Sequence, residues 1–132
     1  MAEGEVRLAV PAQPEYLRMT RILAAGVASR VGFTLDEVDD LRIAIDELCF
    51  SLVGPGGRIG TVSVRYQILP DGLLVEGEGH FTDGMHNEPL LSPLSMQILQ
   101  AVADECELEA GLEGPTFRLV KRRRLGSAER GG

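Results

Sequence analysis

The chain has 132 residues, 44% of them apolar and 25% charged, which is the length and balance of one globular domain with its own core. Thirteen Lys and Arg against twenty Asp and Glu leave a net charge of −7, and residues 1 to 120 alone carry −11 because five cations and one anion sit in residues 121 to 132. Such a body repels a phosphate backbone, and six aromatics without Trp give no stacking platform, so nucleic acid is disfavoured as the main partner. Cys49 and Cys106 stand 57 positions apart with no metal or redox spacing. No signal peptide and no apolar run of about 18 residues occurs, so a reduced cytoplasmic protein without a membrane partner is expected.

Glu5 to Val10 alternates polar and apolar residues before Pro11, the period of a strand with one buried face. From Pro14 to about Val31, Leu23 and Val27 recur at helical spacing with Met19 and Ile22 alongside, and Gly32 marks the exit. Thr34-Leu35-Asp36-Glu37 has the form of a capping box opening a second helix, with acid at the positive helix end. That helix carries Val38, Leu41, Ile45, Leu48 and Leu52, a 3-4-3-4 stripe for a core. Ile43 and Phe50 point nearly opposite the stripe, which predicts cover on two sides for the second half. Glu47 and Ser51, four apart, share one face and look into the space beside the helix.

Gly54-Pro55-Gly56-Gly57 ends the helix and leads into the alternating strand Thr61 to Tyr66, the turn Pro70-Asp71-Gly72 and the returning strand Leu73 to Glu76, a hairpin. Residues 77 to 92 read as a loop longer than most connections, a class that is often functional. Ser92-Pro93 caps a third helix marked by Leu94, Ile98, Ala101 and Val102. Cys106 to Ala110 and Thr116 to Lys121 are the last two strands, and Leu125 to Gly132 reads as a disordered tail after a single domain 1–124. The order β-α-α-β-β-α-β-β predicts an α+β two-layer sandwich: a mixed, mostly antiparallel sheet with three helices on one face.

Several motifs have plain readings. The run from Gly54 to Arg58 follows a helix and lacks a Lys-Ser/Thr ending, so it is a chain reversal and not a phosphate loop. His80 and His86 with the two cysteines lack the spacing of a zinc site, and no metal site is expected. No Ser/His/Asp arrangement can be assembled. Asp36, Glu37, Asp39 and Asp40 are a solvated helix start that would also steer a basic partner. Lys121 to Arg124 read as protection of a sheet edge. Glu47 reads as a solvated group or an ion pair, for example with Arg65.

The stretch Leu41-Arg42-Ile43-Ala44-Ile45-Asp46-Glu47-Leu48-Cys49 resembles the anti-sigma factor serine kinases, a small branch of the histidine-kinase/Hsp90-like ATPases with the Bergerat fold. The opening Leu8 to Tyr16, the exit Arg30-Val31-Gly32-Phe33 and the closing segments Ala101 to Glu105 and Thr116 to Lys121 agree, so the resemblance spans residues 5 to 123. It implies a Bergerat-type sandwich, a homodimer, an alternative sigma factor and an anti-anti-sigma antagonist as partners, and ATP with magnesium as cofactors. It also implies a catalytic base at Glu47 and a magnesium ligand at Ser51, where the family has Asn. Ser51 is a shorter and poorer ligand for a hard cation.

The resemblance further places Glu76 where the family's Asp receives the adenine amino group, with Glu78 and His80 at glycine places of Glu76-Gly77-Glu78-Gly79-His80. Pro93-Leu94-Ser95-Met96 stands for a phosphate-cradling Gly-Leu-Gly-Leu, so Ser95 replaces a glycine and Pro93 brings no N–H. Gly114-Pro115-Thr116 keeps the first Gly and the Thr of a late Gly-Gly-Thr. These departures are most similar to atypical actinobacterial anti-sigma factors. The expectation is a regulator that sequesters a sigma factor with ATP binding and kinase activity weakened or lost. The alternatives are an active serine kinase acting on the antagonist, and an interaction module with another partner.

Overall fold

The computed structural model describes residues 4–85 and 87–124; His86 and the expected tail 125–132 lie outside the described residues. The elements are β1 (Glu5–Pro11), α1 (Pro14–Arg30), α2 (Leu35–Val53), β2 (Gly60–Leu69), β3 (Gly72–Phe81), α3 (Pro93–Val102), β4 (Glu105–Glu109) and β5 (Thr116–Arg122). They form the expected α+β sandwich, and the sheet order β1-β2-β3-β5-β4 is antiparallel at every pairing. The hairpin turns across Pro70-Asp71, with Leu69 paired to Gly72. β3 runs to Phe81, well past Glu76, because Gly77 and Gly79 still pair with Val64 and Val62. Glycines hide the apolar alternation without removing the ladder, so the long loop shrinks to residues 82–92.

The sheet has two unlike faces, as a half-covered antiparallel sheet should. Toward the helices it presents Val62, Val64, Tyr66, Leu73, Val75, Phe117 and Leu119, all buried against Leu41, Ile45, Leu48 and Leu52 of α2 and Leu99 of α3. The predicted stripe of α2 is thus the centre of the core. The second apolar side is not covered, however: Ile43 is 44% and Phe50 47% exposed. α1 buries Leu17, Thr20, Ala24, Val27 and Ala28 and leaves Met19 and Ile22 outside, since small residues let its axis approach α2. α3 turns Leu99 inward, with Leu94 65% exposed.

Polar groups inside this core are paired, as burial requires. The Tyr66 hydroxyl, fully buried, donates to the Thr20 carbonyl at 2.7 Å, and the Thr20 hydroxyl donates to Leu17 O at 2.6 Å and meets Cys49 Sγ at 3.3 Å. Burial pushes the Cys49 thiol up to about 12, which makes it a packing group without thiolate character. The outer face carries a ladder of charge instead: Arg65 on β2 pairs with Glu5 on β1 and Glu76 on β3.

β5 is interior, lying between β3 and β4, so the edge-protection reading of Lys121 fails. Lys121 is 6% exposed and donates to Asp40 Oδ2 at 3.4 Å and to Val102 O at 3.0 Å, joining the last strand to α2 and α3. The acid cluster at the start of α2 is likewise only partly solvated. The capping box forms as expected: Glu37 N–H donates to Thr34 Oγ1 at 3.2 Å and Thr34 N–H to Glu37 Oε1 at 2.8 Å. The other Glu37 oxygen accepts the Arg124 N–H at 2.7 Å, which brings the end of β5 back to the helix start. Burial opposes the Glu37 charge, but the N–H groups of Thr34 and Arg124 outweigh it and hold the pKa below its ordinary 4.5.

Two outcomes follow for urea unfolding. Thr34→Ala loses one cap bond and should cost about 1 kcal/mol, while Glu37→Ala, which strands two backbone donors, should cost more. The Glu37 contribution is complete above the ordinary carboxyl pKa of 4.5 and is lost as pH falls through the lower folded value. The wild-type advantage over Glu37→Ala should therefore vanish in strong acid.

Candidate functional site

Asp40, Ala44, Glu47 and Ser51 line one side of α2. Both ends of that side meet the segment that leads into and through α3, since Asp40 reaches Lys121 beside Val102 and the Ser51 carbonyl accepts the Leu90 N–H at 2.7 Å. Glu47 is half-buried between them. Its expected partner Arg65 lies on the other side of the sheet, engaged with Glu5 and Glu76, and among the described residues Glu47 has no ion pair. Ser51 is fully buried, and its hydroxyl donates to Leu48 O at 2.6 Å. It acts as a small packing residue whose oxygen is shielded from solvent.

The loop 82–92 seals this end of α2. Leu90 stands over Gly54, whose left-handed φ of +81° ends the helix and where an added Cβ would lie 3.0 Å from Leu90 Cδ1. Leu91 packs on the core. The other end of the loop is clamped by Arg58 and Asp83, which sequence reading did not single out. Arg58 Nε and Nη2 donate to the two Asp83 oxygens at 2.9 and 2.7 Å, and both side chains are buried. Asp83 also accepts the Met85 N–H at 3.0 Å. The guanidinium lies 4.1 Å from the Phe81 ring centre. Arg58, followed by the Met85 N–H, holds the Asp83 carboxyl well below the usual carboxylate range despite burial. Positions 58 and 83 lie 25 apart across a hairpin, and no periodicity links them.

The remaining candidates do not gather around Glu47. Glu76 points to the outer face, paired with Arg65, and Thr116 also faces outward, in register with Glu78 and Glu109. Both border a shallow concavity of about 790 Å³ on the bare side of the sheet, together with Arg7 and Arg118. The helix side of β3 carries Gly77 and Gly79, but a Cβ there would run into the rings of Phe117 and Phe81, so that side is already filled. Gly114 packs so tightly on Gly79 O that it has no room for a side chain. At the start of α3 the Ser95 N–H is taken by Ser92 Oγ at 3.1 Å, and the Ser95 hydroxyl is bonded to the same oxygen at 3.0 Å.

Magnesium-ATP does not fit this arrangement. Ser51, matched to the family's magnesium ligand, is buried; Glu76, matched to its adenine-reading Asp, lies on the opposite face in an ion pair; and where the resemblance expects phosphate-cradling N–H groups, Pro93 has none and that of Ser95 is held by a cap. What the geometry does provide is a fixed, plugged α2–α3 flank beside Glu47 and an acidic, contoured surface.

No protein-family model matches the chain. The sequence is similar to curated serine-protein kinases named RsbW. It is 31% identical to that of Bacillus pumilus over 137 aligned positions, covering 88% of this chain and 84% of the relative. It is 39% identical to that of Bacillus subtilis over 93 positions, covering 67% and 58%, and 29% identical to that of Bacillus velezensis, covering 88% and 84%.

If the Arg58–Asp83 clamp holds the loop, Asp83→Asn should speed amide exchange in a peptide spanning 82–92 while the β2–β3 ladder stays protected. In the wild type the clamp is complete above the ordinary carboxylate pKa and opens only as pH falls through the much lower folded value. Loop exchange should then stay slow, after correction for intrinsic rates, at pH values where free carboxylates are already protonated.

Proposed function

Because the chain belongs to the RsbW serine-protein kinase family, we propose that it is an anti-sigma factor that holds an alternative sigma factor by protein contact alone, without nucleotide. The observation that carries this reading is the sealed Ser51, whose hydroxyl and carbonyl are both engaged under the loop 82–92. The phosphoryl-transfer chemistry of a kinase rests on positioned phosphates and metal.

Contact binding suits the surface. A net −11 over residues 1 to 120 raises the encounter rate with a basic protein and penalises acidic competitors. A sigma factor offers such a basic surface where it meets DNA. Release by an anti-anti-sigma antagonist then works by competition for one surface, where a difference of about 1.4 kcal/mol changes occupancy tenfold. The reading includes a homodimer and a cytoplasmic location. Among the described residues no helix is long and apolar enough to cross a membrane.

Two observations favour the kinase reading: Glu47 has no ion pair among the described residues, and the relatives are named as serine-protein kinases. The two readings separate in one experiment. The purified chain is mixed with each alternative sigma factor of its source in nucleotide-free buffer, then with magnesium-ATP, and complex formation is followed by size-exclusion chromatography. A stable complex whose Kd changes by less than about threefold with magnesium-ATP is the expected result. A complex that requires ATP, or transfer of labelled phosphate to an antagonist that Glu47→Ala abolishes, would replace this reading with the kinase.

A further inference from the structure

The outer face of β3 carries a second chemical constellation, remote from α2. Glu78 and His80 are two apart on one strand and so project from the same face. The turn between β4 and β5 delivers Glu113 to them. That turn is fixed to β3 by backbone contacts, with Phe81 N–H donating to Glu113 O at 2.9 Å and Gly79 N–H to Pro115 O at 3.0 Å, and the close seat of Gly114 on Gly79 leaves it no play. The result is an imidazole between two carboxylates: Glu113 Oε2 lies 3.1 Å from Nδ1 and Glu78 Oε2 lies 3.8 Å from Nε2. One ligand atom from each of the three residues falls within 4.8 Å of the others.

We propose that Glu78, His80 and Glu113 form a zinc-binding site, independent of the anti-sigma reading. The set offers one imidazole nitrogen and carboxylate oxygens from two residues, a mixed nitrogen and oxygen donor set held on β3 and the adjoining turn. Imidazole with carboxylate selects zinc or a neighbouring transition ion over magnesium and calcium, which take oxygen alone. In a tetrahedral zinc site with bonds of about 2.0 to 2.1 Å, ligand atoms stand about 3.3 Å apart, so the present spacing closes by rotation of the two glutamates. Both are exposed enough to turn. Three protein ligands leave the fourth position to water.

Binding should also be felt in the sealing loop, because the Asn87 side chain donates to Leu112 O at 2.9 Å in the same turn. Sequence spacing did not suggest this set, since Glu113 enters only through the pairing of β3 with β5. The site departs from the expectation of no metal site, which weighed His80 only with His86 and the two cysteines.

The test is calorimetric titration of the chelator-treated full chain with ZnCl2, repeated with MgCl2. One zinc per chain at micromolar affinity, weakened at least about tenfold in His80→Asn and in Glu113→Gln, is the expected result. Slower amide exchange in 111–115 and 82–92 on adding zinc should accompany it. Glu113 is exposed and His80 half-buried, and unchanged melting without metal confirms that both variants fold. The proposal is overturned by no binding up to millimolar ZnCl2, by equal affinity in wild type and His80→Asn, or by binding that disappears in His86→Asn but survives in His80→Asn.

Discussion

The two-residue period of β3 governs the chemistry of this chain. Once Val75, Gly77 and Gly79 face the helices, Glu76, Glu78 and His80 must face away, and no side-chain rotation can bring them back. The helix side of the strand is then closed by the rings of Phe117 and Phe81. A strand shifted by one residue would have set Glu76 beneath α2 and cost two buried glycines their tight seats. Register is held on both flanks, by β2 through the Arg65–Glu76 pair and by β5 through the packing of Phe117 on Gly77.

This constraint divides the molecule into two working surfaces. One is the α2–α3 flank, where Glu47 stands beside a loop fastened at both ends, by Arg58–Asp83 and by Leu90 on Ser51. The other is the bare sheet face, rich in carboxylates and crossed by Arg65 and Arg118. The Asn87–Leu112 hydrogen bond joins the loop of the first to the β4–β5 turn that borders the second.

Much of this was legible in the sequence. Leu41, Ile45, Leu48 and Leu52 announced the core by spacing alone, and Thr34 with Glu37 announced the helix start, because both signals are local and arise from backbone geometry. The hairpin was legible for the same reason. What periodicity could not supply was neighbourhood. Lys121 looked like an edge residue because nothing local reveals that β5 is flanked by β3 and β4, and Ile43 and Phe50 looked buried because amphipathicity does not say how many layers cover a helix. Spacing alone set Glu47 and Ser51 on one helix face, whereas Glu76, matched by resemblance to the family's Asp, faces the opposite side of the sheet. Alignment preserves order along the chain, whereas the site depends on parity along a strand.

The locked phenol of Tyr66 has a spectroscopic consequence. The chain has no Trp and two tyrosines, one fully buried with its hydroxyl held by the Thr20 carbonyl and the other, Tyr16, open to water. Excited at wavelengths that only indole absorbs, the protein is dark. Any Trp-bearing partner placed against it becomes the sole emitter in the complex, so association can be followed without attaching a dye to either protein, while the tyrosine band reports separately on the integrity of the core.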